Sequence, residues 1–398
     1  MDVSDFFFKL LIVLLSAKLF AEVFAYLKLP AVLGEVIAGI IIGPSVLGLI
    51  TPDATFHLLA EIGILLLLFE VGLETDVGQI VNVGGQSILV AVTGVVAPAL
   101  IGFWISNHIF HMPFVVSLFI GGTLVATSIG ITVRVLVDLK MHQTKTAKIV
   151  LGAAVLDDII GVVILAVLYD FAVKGEVNVI NAAKVLGFIM VFLLLAPVIT
   201  KLFVPLISKL SSNSRTKGMV PTIIISLILG LAVISHKVGA PEILGSFAAG
   251  IALARRFFLP LGATIDHYSH GLAEKIEENM KPIIDLFVPV FFVIVGVSIN
   301  LSVIDFSSPV FWQTAGLLTF GAVIAKMISG VWVKGGFMTK LSTGIAMVPR
   351  GEVGLIFAEV GKRSKIFDDM IYAVIVFVVA LTTLFAPLVL RFVIRKED

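Results

Sequence analysis

Two carboxylates stand side by side in the middle of an apolar run. In KIVLGAAVLDDIIGVVILAVL, Asp157 and Asp158 lie within a residue of the centre. A charged side chain at mid-bilayer costs roughly 2.5–3.5 kcal/mol on insertion scales. Two like charges in a low-dielectric site do not both stay ionised without a cation. The pair therefore settles its charge by taking a proton or by taking a metal cation, and that competition is the chemistry of proton-coupled cation exchange. Adjacent helical residues point about 100° apart, so one acid can meet a fixed partner while the other faces an ion. A pair that only staples helices is the alternative, although one acid would suffice for that at lower cost.

A third charge lies at similar depth. Lys326, in TFGAVIAKMISGVWV, sits about five residues, or roughly 7 Å, to the cytoplasmic side of the centre of its run. A lysine there pairs with a carboxylate, for which Asp157 or Asp158 is available, or snorkels to the interface. Two further runs are interrupted at the same depth, one by Ala126-Thr127-Ser128-Ile129-Gly130 and one by Val348-Pro349-Arg350-Gly351-Glu352. Pro349 removes a backbone donor and Gly351 permits non-helical dihedrals. Unwound backbone is tolerated in a membrane only where protein or a cavity surrounds it. Freed carbonyls and the hydroxyls of Thr127 and Ser128 are hard oxygen ligands suited to Na+ or Li+, though small residues at a helix contact read the same way. Arg350 and Glu352 read as a structural ion pair ahead of direct ion handling. The interruptions lie about 220 residues apart, on runs of opposite direction. Opposed broken helices in two halves indicate an inverted repeat with its site at the interface.

The elements that must position these groups are membrane helices. Of 398 residues, 59% are hydrophobic and 14% charged, with a mean hydropathy of +1.13; ordinary globular chains are about 25% charged. At roughly 30 residues per span and connection, the length accommodates about thirteen transmembrane helices. The broken spans fall at 114–137 and 340–361, the acidic pair in 146–170, and the seventh span at 180–207. The runs are continuous rather than alternating, which excludes a membrane barrel. The fold class is an all-α, polytopic membrane protein. A net charge of +1 argues against a nucleic-acid partner. The absence of cysteine excludes disulfides and thiolate chemistry. With no nucleophile–base cluster, phosphate-binding glycine loop or metalloprotease histidine pair, the reading is a non-enzyme without a cofactor.

Basic residues give the direction. Eighteen fall on one side of the thirteen spans and seven on the other, which places the N-terminus outside and the C-terminus in the cytoplasm. Asp2 and Asp5 stand where a cleavable signal would be basic, so the first helix is expected to be retained. The longest loop, about 257–282, is expected on the cytoplasmic side as a short surface helix. Weaker signals are Lys18 with Glu22, a candidate pair at a subunit contact, and Glu35, structural or lining an entrance. Glu70 and Glu74 read as interfacial, and His57 and His236 as exterior polar residues with a minor pH-sensing alternative.

Taken together, LPAVLGEVIAGIIIGPSVLG, LLLLFEVGLETD, ATSIGITVRVL, LDDIIGVVILAVL, AKMISG and MVPRGEVGLI resemble bacterial monovalent cation:proton antiporters of the second subfamily. The pattern is similar to that of the NapA-type Na+/H+ exchangers, in order along essentially the whole chain. The resemblance implies the NhaA/NapA-like fold of inverted repeats with two crossing broken helices. It implies that Asp158 holds the cation while Asp157 exchanges a salt bridge with Lys326 for a role at the ion. It further implies a scaffold and dimer domain of residues 1–84 and 219–308, a moving ion-binding core of 85–170 and 309–398, and a linker helix within 171–218. The expected function is electrogenic exchange of Na+ or Li+ for H+ by elevator-like alternating access, in a homodimer in the bacterial inner membrane. K+/H+ exchange on the same scaffold is the alternative, and a cation channel or an organic-anion symporter is a more distant one. The related K+ efflux proteins carry Gln-Asp at the acidic pair and a cytoplasmic nucleotide-binding domain; Asp157 and the five residues after the last span argue against that branch.

Overall fold

Interruptions in the apolar runs, more than the runs themselves, decide where helices end. The computed structural model describes residues 2–394 apart from 52, 75–76, 142, 175–182, 185, 193–194, 201–203, 205–217, 255–268 and 306. In chain order the helices are α1 (Val3–Tyr26), α2 (Ala31–Ile42), α3 (Ala54–Glu74), α4 (Val77–Trp104), α5 (Phe114–Thr123), α6 (Ile129–Asp138) and α7 (Lys145–Lys174). They continue as α8 (Met219–Lys237), α9 (Glu242–Leu253), α10 (Ser269–Ser298), α11 (Pro309–Ser329), α12 (Phe337–Ala346), α13 (Glu352–Arg363) and α14 (Asp369–Ile394). The described residues form no strand. Helices thus occupy the places of twelve of the thirteen expected spans. The seventh, 180–207, lies largely outside the described residues. Among the described residues, six helices are long and apolar enough to cross a bilayer by length and composition alone. Two other crossings are shared by half-helices, α5 with α6 and α12 with α13.

One expected element differs. The described part of the 257–282 loop is not a separate surface helix but the beginning of α10, which runs on through Pro282 and Pro289. Ala273, Ile276, Met280 and Ile284 are buried at helical spacing, so the packed stripe continues across Pro282 and holds the helix together despite the lost backbone bond. Residues 257–268 fall outside the described residues.

The chain divides by packing into two units, one of residues 1–54, 83–182 and 292–398, the other of 55–82 and 183–291. In the first unit, α7 packs against all four half-helices, α5, α6, α12 and α13. An apolar core formed by Phe119, Leu124, Phe311, Leu318 and Val374, among others, holds α5, α11 and α14 together. In the second unit, α8 packs along α9, and the Ser246 hydroxyl of α9 donates to the Leu65 carbonyl of α3.

Both halves of the chain use the same joints. Pro30-Ala-Val-Leu-Gly-Glu-Val-Ile-Ala-Gly-Ile40 recurs as Pro241-Glu-Ile-Leu-Gly-Ser-Phe-Ala-Ala-Gly-Ile251, 211 positions later. Within the first unit, a Cβ on Gly39 would come within 2.8 Å of the Gly296 Cα; within the second, a Cβ on Gly250 would come within 2.8 Å of the Gly72 Cα. Gly34 presses on the Phe20 carbonyl of α1, and its counterpart Gly245 presses on the Leu231 carbonyl of α8, also 211 positions on. The interrupted helices repeat as well. α5 and α6 begin at 114 and 129, and α12 and α13 begin 223 positions later at 337 and 352. Glycine lets these backbones approach to a distance that any side chain would prevent.

Candidate functional site

The site forms within the first unit, where the chain gives up its regular hydrogen bonds. α5 ends in Gly121-Gly122-Thr123, and α6 does not begin until Ile129. α12 ends at Ala346, before Pro349, and α13 begins after Gly351. Each buried backbone group in these gaps needs a partner, and the two gaps supply one another. The Ser128 N–H donates to the Pro349 carbonyl at 2.9 Å. The Thr127 hydroxyl donates to the Met347 carbonyl at 3.3 Å, and the Thr132 hydroxyl to the Ala346 carbonyl at 2.9 Å. Arg350 Nη1 donates to the Ala126 carbonyl at 3.0 Å. The Ser128 hydroxyl also caps α6, accepting from the Ile131 N–H at 3.4 Å. The N-terminal ends of α6 and α13, each carrying partial positive charge, open onto this crossing.

The charges gather at the crossing. Lys326 Nζ, on α11, donates to Asp157 Oδ2 at 2.9 Å and to Thr127 Oγ1 at 2.7 Å. Lys326 and Asp157 are both 0% exposed, so this lysine does not snorkel. Asp157 Oδ1 has no hydrogen-bond partner among the described residues, which leaves one carboxylate oxygen open as an acceptor. Asp158 is 2% exposed, and its charge acts on Lys326. Arg350 is wholly buried and lies in the field of Asp157. Gly94 of α4 leaves room beside the ammonium: a Cβ there would stand 3.5 Å from Lys326 Nζ.

The structure thus brings together Asp157, Asp158, Lys326, Thr127, Ser128, Pro349, Arg350 and Gly351. The Glu352 side chain lies outside the described residues, so the expected Arg350–Glu352 pair does too; the Arg350 bond that is described goes to the Ala126 carbonyl. Among the described residues no group of three His, Asp or Glu side chains is arranged to hold a metal. What the crossing offers instead is carboxylate, hydroxyl and carbonyl oxygen, the donor set of a weakly held alkali cation. Away from the crossing, His236 Nδ1 lies 2.6 Å from Glu242 Oε1 in an exposed pair. Glu70 lies on α3, and the Glu74 side chain is outside the described residues.

The sequence matches the family model of the sodium/hydrogen exchanger, transmembrane, over residues 11–396. The chain belongs to the sodium/hydrogen exchanger family. It is 33% identical over 434 residues to the high-affinity Na+/H+ antiporter NhaS3 of Synechocystis, covering 98% of this chain and 90% of that protein. It is 34% identical over 400 residues to the Na+/H+-K+ antiporter GerN of Bacillus cereus, covering 99% and 97%. Its fold is that of the sodium proton antiporter MjNhaP1 of Methanocaldococcus jannaschii, with a TM-score of 0.71 at 18% identity over 98% of this chain and 99% of that one. This exchanger is therefore an all-helical, multi-pass membrane protein, embedded in a lipid bilayer.

One buried group at the crossing escapes a reading that looks only for charges and breaks. The Thr383 hydroxyl, from the middle of α14, donates to the Arg350 carbonyl and is 1% exposed. Its signal is the polar pair Thr382-Thr383 inside the otherwise apolar FVVALTTLFAP.

Proposed function

We propose that this chain is a secondary active antiporter that exchanges Na+ or Li+ for H+, with cation and protons competing for Asp157 and Asp158. The observation that carries the reading is the fully buried Lys326–Asp157 pair at the crossing of two interrupted helices. Membership of the exchanger family and the antiporter relatives support it. The finer assignment is to the NapA-type branch.

From one side of the membrane, the cation displaces protons and is held by Asp158 with the oxygens of Thr127 and Ser128. Asp157 exchanges its bond to Lys326 for a place at the ion. The core, residues 85–170 and 309–398, then moves against the scaffold, residues 1–84 and 219–308, with the segment 171–218 linking them. On the other side the returning protons release the cation. An empty, charged site does not cross the hydrocarbon, and that coupling turns leak into exchange. Two protons per Na+ would move one net charge, worth about 2.3 kcal/mol per 100 mV, so an inside-negative potential drives Na+ out. The scaffold pairs two copies into a homodimer in the bacterial inner membrane, N-terminus outside and C-terminus in the cytoplasm.

Potassium is the second reading, favoured by the similarity to GerN, a Na+/H+-K+ antiporter. Purified protein in liposomes, assayed with Na+, Li+ and K+ under a clamped voltage, tests both. Na+- and Li+-driven proton movement with a voltage-dependent rate is the expected result. Cation flux without opposing proton movement rejects exchange, and a K+ response equal to the Na+ response moves the assignment to the second reading.

A further inference from the structure

A second buried charge cluster lies apart from the aspartate pair, between α2 and the far end of α6. Glu35 is 1% exposed, and its Oε2 has no hydrogen-bond partner among the described residues. The charged groups acting on it are Arg134 and Asp138 of α6 and Lys18 of α1. Arg134 Nε lies 3.4 Å from Asp138 Oδ1. Asp138 Oδ2 in turn accepts from the Val32 N–H at 3.5 Å, in the first turn of α2, where Pro30 provides no side-chain cap. Glu35 follows Val32 by one helical step of three residues and so shares its face. α10 also packs on α2, at Gly39.

The matching positions of the two sequence repeats do not carry these charges. The counterpart of Glu35 is Ser246, whose hydroxyl is satisfied by the Leu65 carbonyl. The counterparts of Arg134 and Asp138 on α13 are Phe357 and Gly361, 223 positions on and both buried. One half therefore carries a carboxyl, a guanidinium and a second carboxyl where the other carries three neutral residues.

We propose that Glu35 is a proton-binding group separate from Asp157 and Asp158, and that with Arg134 and Asp138 it forms a proton-controlled tie between α2 and α6. Ionised, Glu35 shares Arg134 with Asp138 and draws the end of α6 onto α2. Protonated, it leaves Arg134 to Asp138, and the carboxylate tie to the first turn of α2 is then Asp138's alone, through the Val32 and Ala31 N–H groups. α6 is a ten-residue half-helix whose other end carries Ser128 at the crossing, so the tie reaches the ion site along one short rigid element. This inference rests on the exchange reading only for its effect on transport.

Hydrogen–deuterium exchange on the intact protein in lipid nanodiscs tests it, with rates corrected for intrinsic pH dependence. Protection of the α6 amides should rise with pH as Glu35 ionises, by up to tenfold per unit wherever one state alone holds the proton. E35Q should abolish that rise, as should R134Q, which keeps the carboxyl but removes its partner. Wild-type pH dependence in either variant, or no pH dependence in the wild type, overturns the proposal. In liposomes, E35Q should keep Na+/H+ exchange but lose one titrating step from its pH profile, and an unchanged profile also overturns it. Absence of exchange in wild-type liposomes would sink the antiport reading while the amide protection still judged the tie.

Discussion

Gly351 and Ser128 touch where the two interrupted helices cross: a Cβ at 351 would stand 2.5 Å from the Ser128 Oγ and 2.7 Å from its Cβ. The serine cannot simply rotate away, because its hydroxyl caps α6 and its N–H holds the Pro349 carbonyl. Gly351→Ala should therefore cost about 1–3 kcal/mol, as overpacking does, and remove most transport. Thermal unfolding in detergent alongside a liposome assay checks this. Wild-type activity in the variant would show that the crossing has slack.

Asp158→Asn replaces one buried acid by an amide of the same shape. Exchange should be abolished while the protein still folds. Na+ should also cease to raise the melting temperature, since a ligand at a hundred times its Kd adds about 2.7 kcal/mol only to a protein that binds it. Residual Na+ stabilisation would assign the cation to other oxygens.

Lys326→Gln leaves the Asp157 carboxylate buried without its cation, a change worth about 3–5 kcal/mol in buried pairs. Adding Asp157→Asn should recover much of that loss, so the double variant should be more stable than the lysine variant alone. A double-mutant cycle on unfolding free energies measures the coupling. In liposomes Lys326→Gln should weaken the voltage dependence or slow transport. An unaltered charge per Na+ would dismiss the lysine from the proton count.

Competition fixes the sign of the pH dependence. Protons and Na+ occupy the same acids, so the apparent Na+ affinity should fall as pH falls. For one displaced proton the apparent Kd rises about tenfold per unit where the free site is protonated, and for two about a hundredfold. Na+ titrations of exchange rate at several pH values give the slope, and a slope of zero would reject shared sites.

The chemistry was legible in the sequence because the bilayer makes it conspicuous. Asp157, Asp158 and Lys326 are too costly at that depth to be incidental, and Pro349 and Gly351 announce an interruption by their backbone chemistry alone. The frame was less legible. Gly34, Gly39, Gly245 and Gly250 sit among Ile, Val and Ala, where a glycine looks like generic helix packing. The eleven-residue match between 30–40 and 241–251 carries the information, yet a search for broken helices passes over it. Arg350 also has a partner that the sequence does not show. Sequence proximity suggests Glu352, whereas the described bond joins residues 224 positions apart, and only folding brings the Ala126 carbonyl there. Glu35 was noticed, but its meaning depends on Arg134 and Asp138, about a hundred residues away.

The Gly39–Gly296 joint has a consequence for biosynthesis. α2 is threaded into the membrane early and has α1 beside it at once, but the surface its Gly39 face packs against is made 257 residues later. At roughly 5–20 residues per second, that leaves the Gly39 face of α2 on the order of ten to fifty seconds without α10. That face must wait, shielded by lipid or by insertion machinery, and a ribosome stalled before residue 296 would release a product in which this joint never closes.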